Sequence, residues 1–242
     1  MVKLHVVMKK EEIDKEKLNG QKVVVVFDIL MATSVITTAI QHGAKAVIPV
    51  ANQEDALYEA SIREKGTYVL VGEYNGLTID GFESPHPERL SKTVEGKDII
   101  LTTTNGTVAI KHALNAKKVY IASLLNAKHS AKAVCSEHLD ETVVLVCSGS
   151  SGVFNVEDFY GVGYYIDCLI TSSHKAWEMS DTALCAHQFY LGAKEKGTEL
   201  LMASRVGKMI ANHGMKTEVA FVAQKDIFAV SPIVTDEGVI GV

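Results

Sequence analysis

The chain has no CxxC pair, no basic run, no Gly/Ser- or Pro-rich linker and no apolar segment long enough to span a membrane. Each absence removes a class of protein. The four cysteines, Cys135, Cys147, Cys168 and Cys185, stand apart, which argues against a zinc site or a disulfide framework. With 24 Lys and Arg against 29 Asp and Glu the net charge is −5, and no cluster of basic residues offers itself to a phosphate backbone, so nucleic acid is not an expected partner. The opening stretch, MVKLHVVMKKEEIDKEKLNGQK, has charge where a signal peptide would need an apolar core. A cytoplasmic protein is expected, with no membrane partner. Only four prolines occur in 242 residues, and no low-complexity stretch divides the chain, so a single domain over residues 1–242 is expected.

What the chain has is a repeated strand–hinge–helix design. Val23 begins VVVVFDILMATS, Asp98 begins DIILTTTNGT, and Val143 begins VVLVCSGSSG. Each is an apolar run that ends in small polar residues before a helical pattern. The first two units also close alike, at Gly43-Ala44-Lys45 and Asn115-Ala116-Lys117, which suggests an internal duplication of βαβ units or convergence on the same local grammar. Near-continuous Val/Ile runs suit strands covered on both faces. The expected fold is α/β, a three-layer α/β/α arrangement with a largely parallel or mixed sheet. Strands are expected at 3–7, 23–27, 46–50, 68–71, 99–101, 119–122, 143–147 and 218–222, and helices over 53–65, 128–138 and 180–194. The final segment, KDIFAVSPIVTDEGVIGV, reads either as a strand and tail returning to the site through Asp226 or as an edge element.

Ligands bind beyond the carboxyl ends of strands in such sheets, so three polar hinges predict one shared pocket. The TTTNGT hinge places hydroxyls and backbone N–H groups at the positive end of a helix, which is anion-binding chemistry. The alternative is a plain turn with Thr107 as a helix cap. Asp28 directly follows an apolar strand, Glu73 ends another, and Glu157-Asp158 fall where a helix starts, a place that also suits simple capping. Carboxylates beside anion cradles imply a divalent cation between them, and an all-oxygen set favours Mg2+. His86 lies in the SPHPER excursion and could approach the pocket. Two covalent phosphatase templates fail: Val153 stands where the Cys147 cradle would need an Arg, and Asp28-Ile29-Leu30 lacks the second Asp of Asp-x-Asp. No P-loop or dinucleotide fingerprint occurs.

FDILMATSVI, GEYNGLTIDGFESPHPERL, DIILTTTNGTVAI, VCSGSSGVFNVEDFYGVG and SRVGKMI, in that order from about Val23 to Pro232, together resemble the 2-phosphosulfolactate phosphatase (ComB) family. The resemblance implies a magnesium-dependent phosphatase that hydrolyses (2R)-2-phospho-3-sulfolactate, a phosphorylated sulfonate, to 3-sulfolactate and phosphate in coenzyme M synthesis. It supports Thr103, Thr104, Asn105, Gly106, Thr107 and Gly152 as phosphate-binding residues. Asp28, Glu157 and Asp158 would hold the metal, with catalytic roles for Asp28, Asp158 and Glu73. The chain departs from the family pattern at Met31, where DVLRATT has Arg, and at ESPHPE, where GNSP is usual. Arg89, Arg205 and Lys208 are candidate replacements for the missing charge. The other readings are a phosphatase for another small anionic phosphoester, and a non-catalytic binder of anionic metabolites. A homodimer would be ordinary for an enzyme of this size.

Overall fold

The computed structural model describes residues 2–138, 140–173 and 176–242. The first half runs β1 (Val2–Val7), a 3-10 turn at Lys10–Glu12, α1 (Lys15–Leu18), β2 (Val23–Phe27), α2 (Ala32–Gln41), β3 (Ala46–Val50), α3 (Gln53–Ser61), β4 (Tyr68–Tyr74), β5 (Leu77–Thr78), α4 (Pro87–Leu90), β6 (Asp98–Thr102), α5 (Gly106–Ala113) and β7 (Lys118–Ile121). The second half runs α6 (Ala127–Glu137), β8 (Val143–Cys147), α7 (Val156–Ser172), β9 (Trp177–Met179), α8 (Asp181–Ala193), α9 (Gly197–Ala203), α10 (Arg205–Asn212), α11 (Lys216–Val222), β10 (Pro232–Thr235) and β11 (Gly238–Gly241).

The fold is three-layer α/β/α, and among the described residues eleven strands join one sheet in the order β5-β4-β6-β3-β11-β10-β7-β2-β8-β1-β9. Its central strands are buried end to end: all five residues of β2 and all five of β8 are shielded, which is why both read as unbroken apolar runs. Parallel pairing links β7, β2, β8, β1 and β9 on one side and β3, β6 and β4 on the other. Between these blocks sits the carboxy-terminal hairpin, β10 antiparallel to β7 through Ile233 and Tyr120, and β11 antiparallel to β3 through Val239 and Val47. The tail is therefore neither an edge nor a return to the site. Asp226 instead accepts from the Lys128 N–H at the start of α6 (2.8 Å) and from the Tyr164 hydroxyl, which anchors the chain before it enters the sheet.

The hairpin has a topological consequence. Because β10 and β11 each run against their outer neighbours, the two parallel blocks point in opposite directions. Five interstrand steps separate β2 from β6, and at roughly 20–25° of twist per step they accumulate a rotation of roughly 100–125°. The sheet thus coils around α2 and α5: Val24, Val26, Val47, Val69, Leu101, Val119, Val146 and Val239 share one apolar cluster with Ile36 and Ala39 of α2 and Ile110 of α5. The other face of the β1/β8/β2/β7 block packs against α6, α7 and α8, and α3 covers β3 and β6. The two matched units interlock, the first strand of each pairing with the second strand of the other, β2 with β7 and β6 with β3.

One expected strand is a helix. Residues 218–222 lie in α11, where Val219 and Val222, three residues apart, are buried on one helical face. A run of four apolar residues, Val219–Val222, fits either period.

Candidate active site

Coiling brings the carboxyl ends of β2, β6 and β8 to one cavity of about 440 Å³. Asp28, Thr103, Thr104, Asn105, Ser150 and Ser151 line one side, Glu73 and the 75–78 and 84–86 segments another, and Arg205, Met209, Ile210, His213 and Met215 from α10 and beyond close the third. His86 is among the lining residues. Its ring Nδ1 is buried without a hydrogen-bond partner, and burial, with Arg89 nearby, holds its pKa below the usual histidine range.

The small hydroxyl residues at the hinges serve two purposes. After β2, Thr33 Oγ1 accepts the Asp28 N–H (3.0 Å) and donates to the Asp28 carbonyl (2.9 Å), while Ser34 Oγ donates to the Ile29 carbonyl (2.9 Å). After β6 the same device recurs: Thr107 Oγ1 donates to the Thr103 carbonyl (2.9 Å), and Thr103 Oγ1 accepts the Thr107 N–H (3.2 Å). Thr107 is fully buried in this knot and does not line the cavity. Gly106 is required by close approach, because a Cβ there would lie 2.6 Å from Asp28 Oδ2 and closer still to the Ala32 methyl.

Thr104 is committed to Glu73. Its N–H donates to Glu73 Oε1 (2.7 Å), its hydroxyl donates to Oε2 (3.2 Å), and the Gly76 N–H also donates to Oε2 (2.7 Å). The anion donors left at this hinge are the Thr103 hydroxyl and the Asn105 amide. Asn105 joins three loops: its Oδ1 accepts from Lys10 Nζ (2.9 Å) and from the Ser151 N–H (3.2 Å). Arg205 donates to the Ser150 carbonyl (3.3 Å) from across the cavity.

The carboxylates divide by environment. Asp28 is buried at the cavity wall, and desolvation, then the charges of Glu73 and Glu157, raise its pKa to about 7. Asp158 is buried and off the cavity, and its two oxygens take the Ile29 N–H (2.9 Å) and the Gly149 N–H (3.1 Å), tying the β2 hinge to the β8 hinge. Burial and the charges of Asp28 and Glu157 push its pKa well up. Glu157 is buried with Oε1 unpartnered. Its pKa is raised by burial against the opposing pull of its own N–H, Ser204 and Arg205.

Among the described residues no three His, Cys, Asp or Glu side chains are grouped so as to hold a metal. Asp28, Glu157 and Asp158 therefore do not form a three-carboxylate cage, since Asp158 spends both oxygens on backbone. Glu157, like Asp158, is not among the lining residues, but its Oε1 is orphaned and its charge acts on Asp28; the two are a pair of carboxylates of the kind a hard cation takes while completing its shell from substrate and water.

Arg89 does not reach the cavity; it lines a separate cleft with Lys92 and Glu218. Lys208 is not among the lining residues. Gly152 also stands off, in a left-handed turn (φ 74°) whose carbonyl accepts from Lys9 Nζ (3.3 Å). Cys147 is fully buried and its thiol pKa is driven well up by burial, so it remains a neutral strand residue. Sequence reasoning finds Arg205 but misses Lys10 and the apolar remainder of the α10 wall, Met209 and Ile210. Lys10 lies just beyond the carboxyl end of β1, and it is the pairing of β1 with β8, which the sequence does not display, that brings it to the site.

A family model described as 2-phosphosulpholactate phosphatase matches residues 7–237. Several proteins named probable 2-phosphosulfolactate phosphatase are similar to the chain over nearly its whole length. The one from Clostridium novyi (strain NT) is 37% identical over 233 residues, 96% of each chain. That from Clostridium tetani is 35% identical over 231 residues, 95% of this chain and 96% of its own. That from Clostridium perfringens (strain SM101) is 38% identical over 230 residues, 93% of this chain and 91% of its own.

Proposed function

The chain belongs to the 2-phosphosulpholactate phosphatase family of phosphoric-monoester hydrolases, and from that premise we propose that it hydrolyses (2R)-2-phospho-3-sulfolactate to 3-sulfolactate and phosphate with Mg2+ bound. The observation that carries the reading is the meeting of three strand-end loops at Asn105, beside the buried Asp28. An anion donor set facing an ionisable carboxylate is the arrangement phosphoryl transfer uses, since its demands are positioning and charge neutralisation.

The Thr103 hydroxyl and the Asn105 amide would hold the phosphoryl oxygens. Arg205 faces the same space and would take a second anionic group. Asp28 and Glu157 would hold Mg2+, which when bound supplies charge neutralisation and a more acidic water. Glu73, oriented by Thr104 and Gly76, lines the cavity and would accept the proton of the attacking water. Asp158 stays off the cavity and would act by fixing the two hinges.

Phosphate release from 2-phospho-3-sulfolactate, measured with Mg2+ and again with excess EDTA, tests the proposal. Release that stops with EDTA and returns with added Mg2+ is expected; no release from folded protein with Mg2+ refutes the substrate assignment. A second reading within the same chemistry, a different small phosphoester, draws on the apolar wall of Leu30, Met31, Leu77, Met209, Ile210 and Met215. A panel of phosphoesters with and without a sulfonate separates the two.

A further inference from the structure

Lys10 is a cation where a cation is costly. Its side chain is 7% exposed, in a 3-10 turn packed against the site, and its Nζ meets Glu11 Oε1 at 3.0 Å and Asn105 Oδ1 at 2.9 Å. Lysines are rarely buried without a specific partner. Glu11 sits on the outer side and is 41% exposed, so a water-facing alternative was open to this ion pair. The inward contact to Asn105 is the one that fixes the ammonium in place.

That contact also determines which way the Asn105 amide points. An ammonium and a backbone N–H can only donate, so the atom that receives both Lys10 Nζ and the Ser151 N–H must be the amide oxygen. The Nδ2 group is left as a donor with no protein partner among the hydrogen bonds of the described residues, on a residue that lines the cavity. Without Lys10, one backbone N–H would be a weak hold on a rotatable amide, and the flipped orientation would turn an acceptor lone pair toward an incoming anion.

We propose that Lys10 is the positioning residue of the phosphate site, acting through Asn105: it locks the side-chain oxygen outward so that Nδ2 donates to a phosphoryl oxygen. The inference rests on the phosphatase reading of this cavity and extends it to a residue from a loop other than the three hinges. Lys10 does not touch the substrate. It loads the one side chain at which the loops after β1, β6 and β8 come together.

The test uses inorganic phosphate as the probe, titrated calorimetrically into the full chain with Mg2+ present, for the wild type, Lys10→Met, Asn105→Ala and the double variant. Met keeps the apolar stem that the slot accommodates. Loss of a charge-assisted hydrogen bond's orienting effect should weaken phosphate binding about tenfold in Lys10→Met. Because Lys10 works through Asn105, the double variant should bind phosphate no more weakly than Asn105→Ala alone. Additive losses would overturn the proposal, since Lys10 would then be acting by another route, while the phosphate site itself would stand. Lys10→Arg, which keeps a donor for Oδ1, should recover most of the affinity; a purely structural role would follow melting temperature instead. In the wild type, which requires no variant to fold, the Asn105 side-chain amide protons, assigned by their absence in Asn105→Ala, should shift in NMR spectra as phosphate is added. No shift overturns the proposal, and no phosphate binding by the wild type overturns both it and the reading beneath it.

Discussion

Gly106→Ala is a one-methyl perturbation aimed at Asp28 from the far hinge. The new Cβ would lie 2.4 Å from the Ala32 methyl, 2.6 Å from Asp28 Oδ2 and 3.1 Å from Asp28 Cβ. A comfortable contact is roughly 3.5 Å, so the carboxylate must retreat by about 1 Å. Ala32 cannot share the displacement easily, because it opens α2 and the loop before it is pinned by Thr33. Overpacking of this kind costs about 1–3 kcal/mol, partly offset by up to about 1 kcal/mol from the better helix propensity of Ala. The net loss, up to about 3 kcal/mol, corresponds to a melting temperature lower by up to roughly 12 °C in a chain of this size. The catalytic effect should be larger, because misplacing a reacting group by about 1 Å costs about 100-fold in rate. Gly192 is the control: it lies inside α8 with nothing within 4 Å of where a Cβ would sit and no positive φ. Gly192→Ala should therefore raise stability by up to about 1 kcal/mol and leave activity unchanged. Phosphate release and thermal melting on the two variants make the comparison. Near wild-type turnover in Gly106→Ala would refute the placement of Asp28 at the reacting centre.

Asp158→Ala strips two buried N–H groups, those of Ile29 and Gly149, of their acceptor. At about 1–3 kcal/mol each, urea denaturation should show a loss of about 2–6 kcal/mol, and an unchanged midpoint would return Asp158 to a direct role. Asp28→Asn should abolish turnover with the fold intact, and retention of wild-type rates would remove Asp28 from the mechanism. The same substitution has a pH signature: the Asp28 pKa rises from an ordinary 3.8 to about 7 on folding, so the folded state binds the proton more tightly than the unfolded chain. Stability of the Mg2+-free protein should therefore fall as pH rises from about 4 to about 7, and Asp28→Asn should make that slope shallower in melting curves collected across the range, with Glu157, Asp158 and Glu218, whose pKa values burial also raises, supplying the remainder. Arg205→Ala removes the guanidinium from the cavity wall and should raise KM roughly 10–100-fold with a smaller change in kcat; an equal fall in kcat would assign Arg205 to the transition state instead.

The parts of this site that are legible in the sequence are those whose chemistry is local. Asp28 announces itself as a charge set directly on an unbroken apolar strand, and TTTNG as a polar hinge before a helix. What is not legible is which polar group each hinge residue spends itself on. Thr104 and Thr107 look alike in the sequence, yet Thr104 orients Glu73 and Thr107 closes its own loop. Asp158 carries the same charge beside Glu157, but it joins Gly149 of its own β8 hinge to Ile29 of the distant β2 hinge. Lys10 sits in a stretch of charges that suits a solvated surface, and only the β1–β8 pairing turns it inward toward Asn105.

The expectation of one shared pocket holds for a reason other than the rule that suggested it. In a flat parallel sheet the hinges would meet because their strands lie side by side and point the same way. Here β6 belongs to a block that points against β2, and the carboxy-terminal hairpin separates them. The meeting depends on twist accumulated across that hairpin, so β10 and β11 govern the geometry of a site they do not line. Ile233 and Val239, the two residues that pair the hairpin to its neighbours, are buried. Ile233→Ala should cost about 2–5 kcal/mol as a core truncation. If the hairpin sets the crossing of the blocks, turnover in the fraction that remains folded should fall as well, because Gly106 would no longer close on Asp28. A variant of lower melting temperature with an unchanged kcat below its transition would show that each hinge is held locally, and that the coil of the sheet only covers the core.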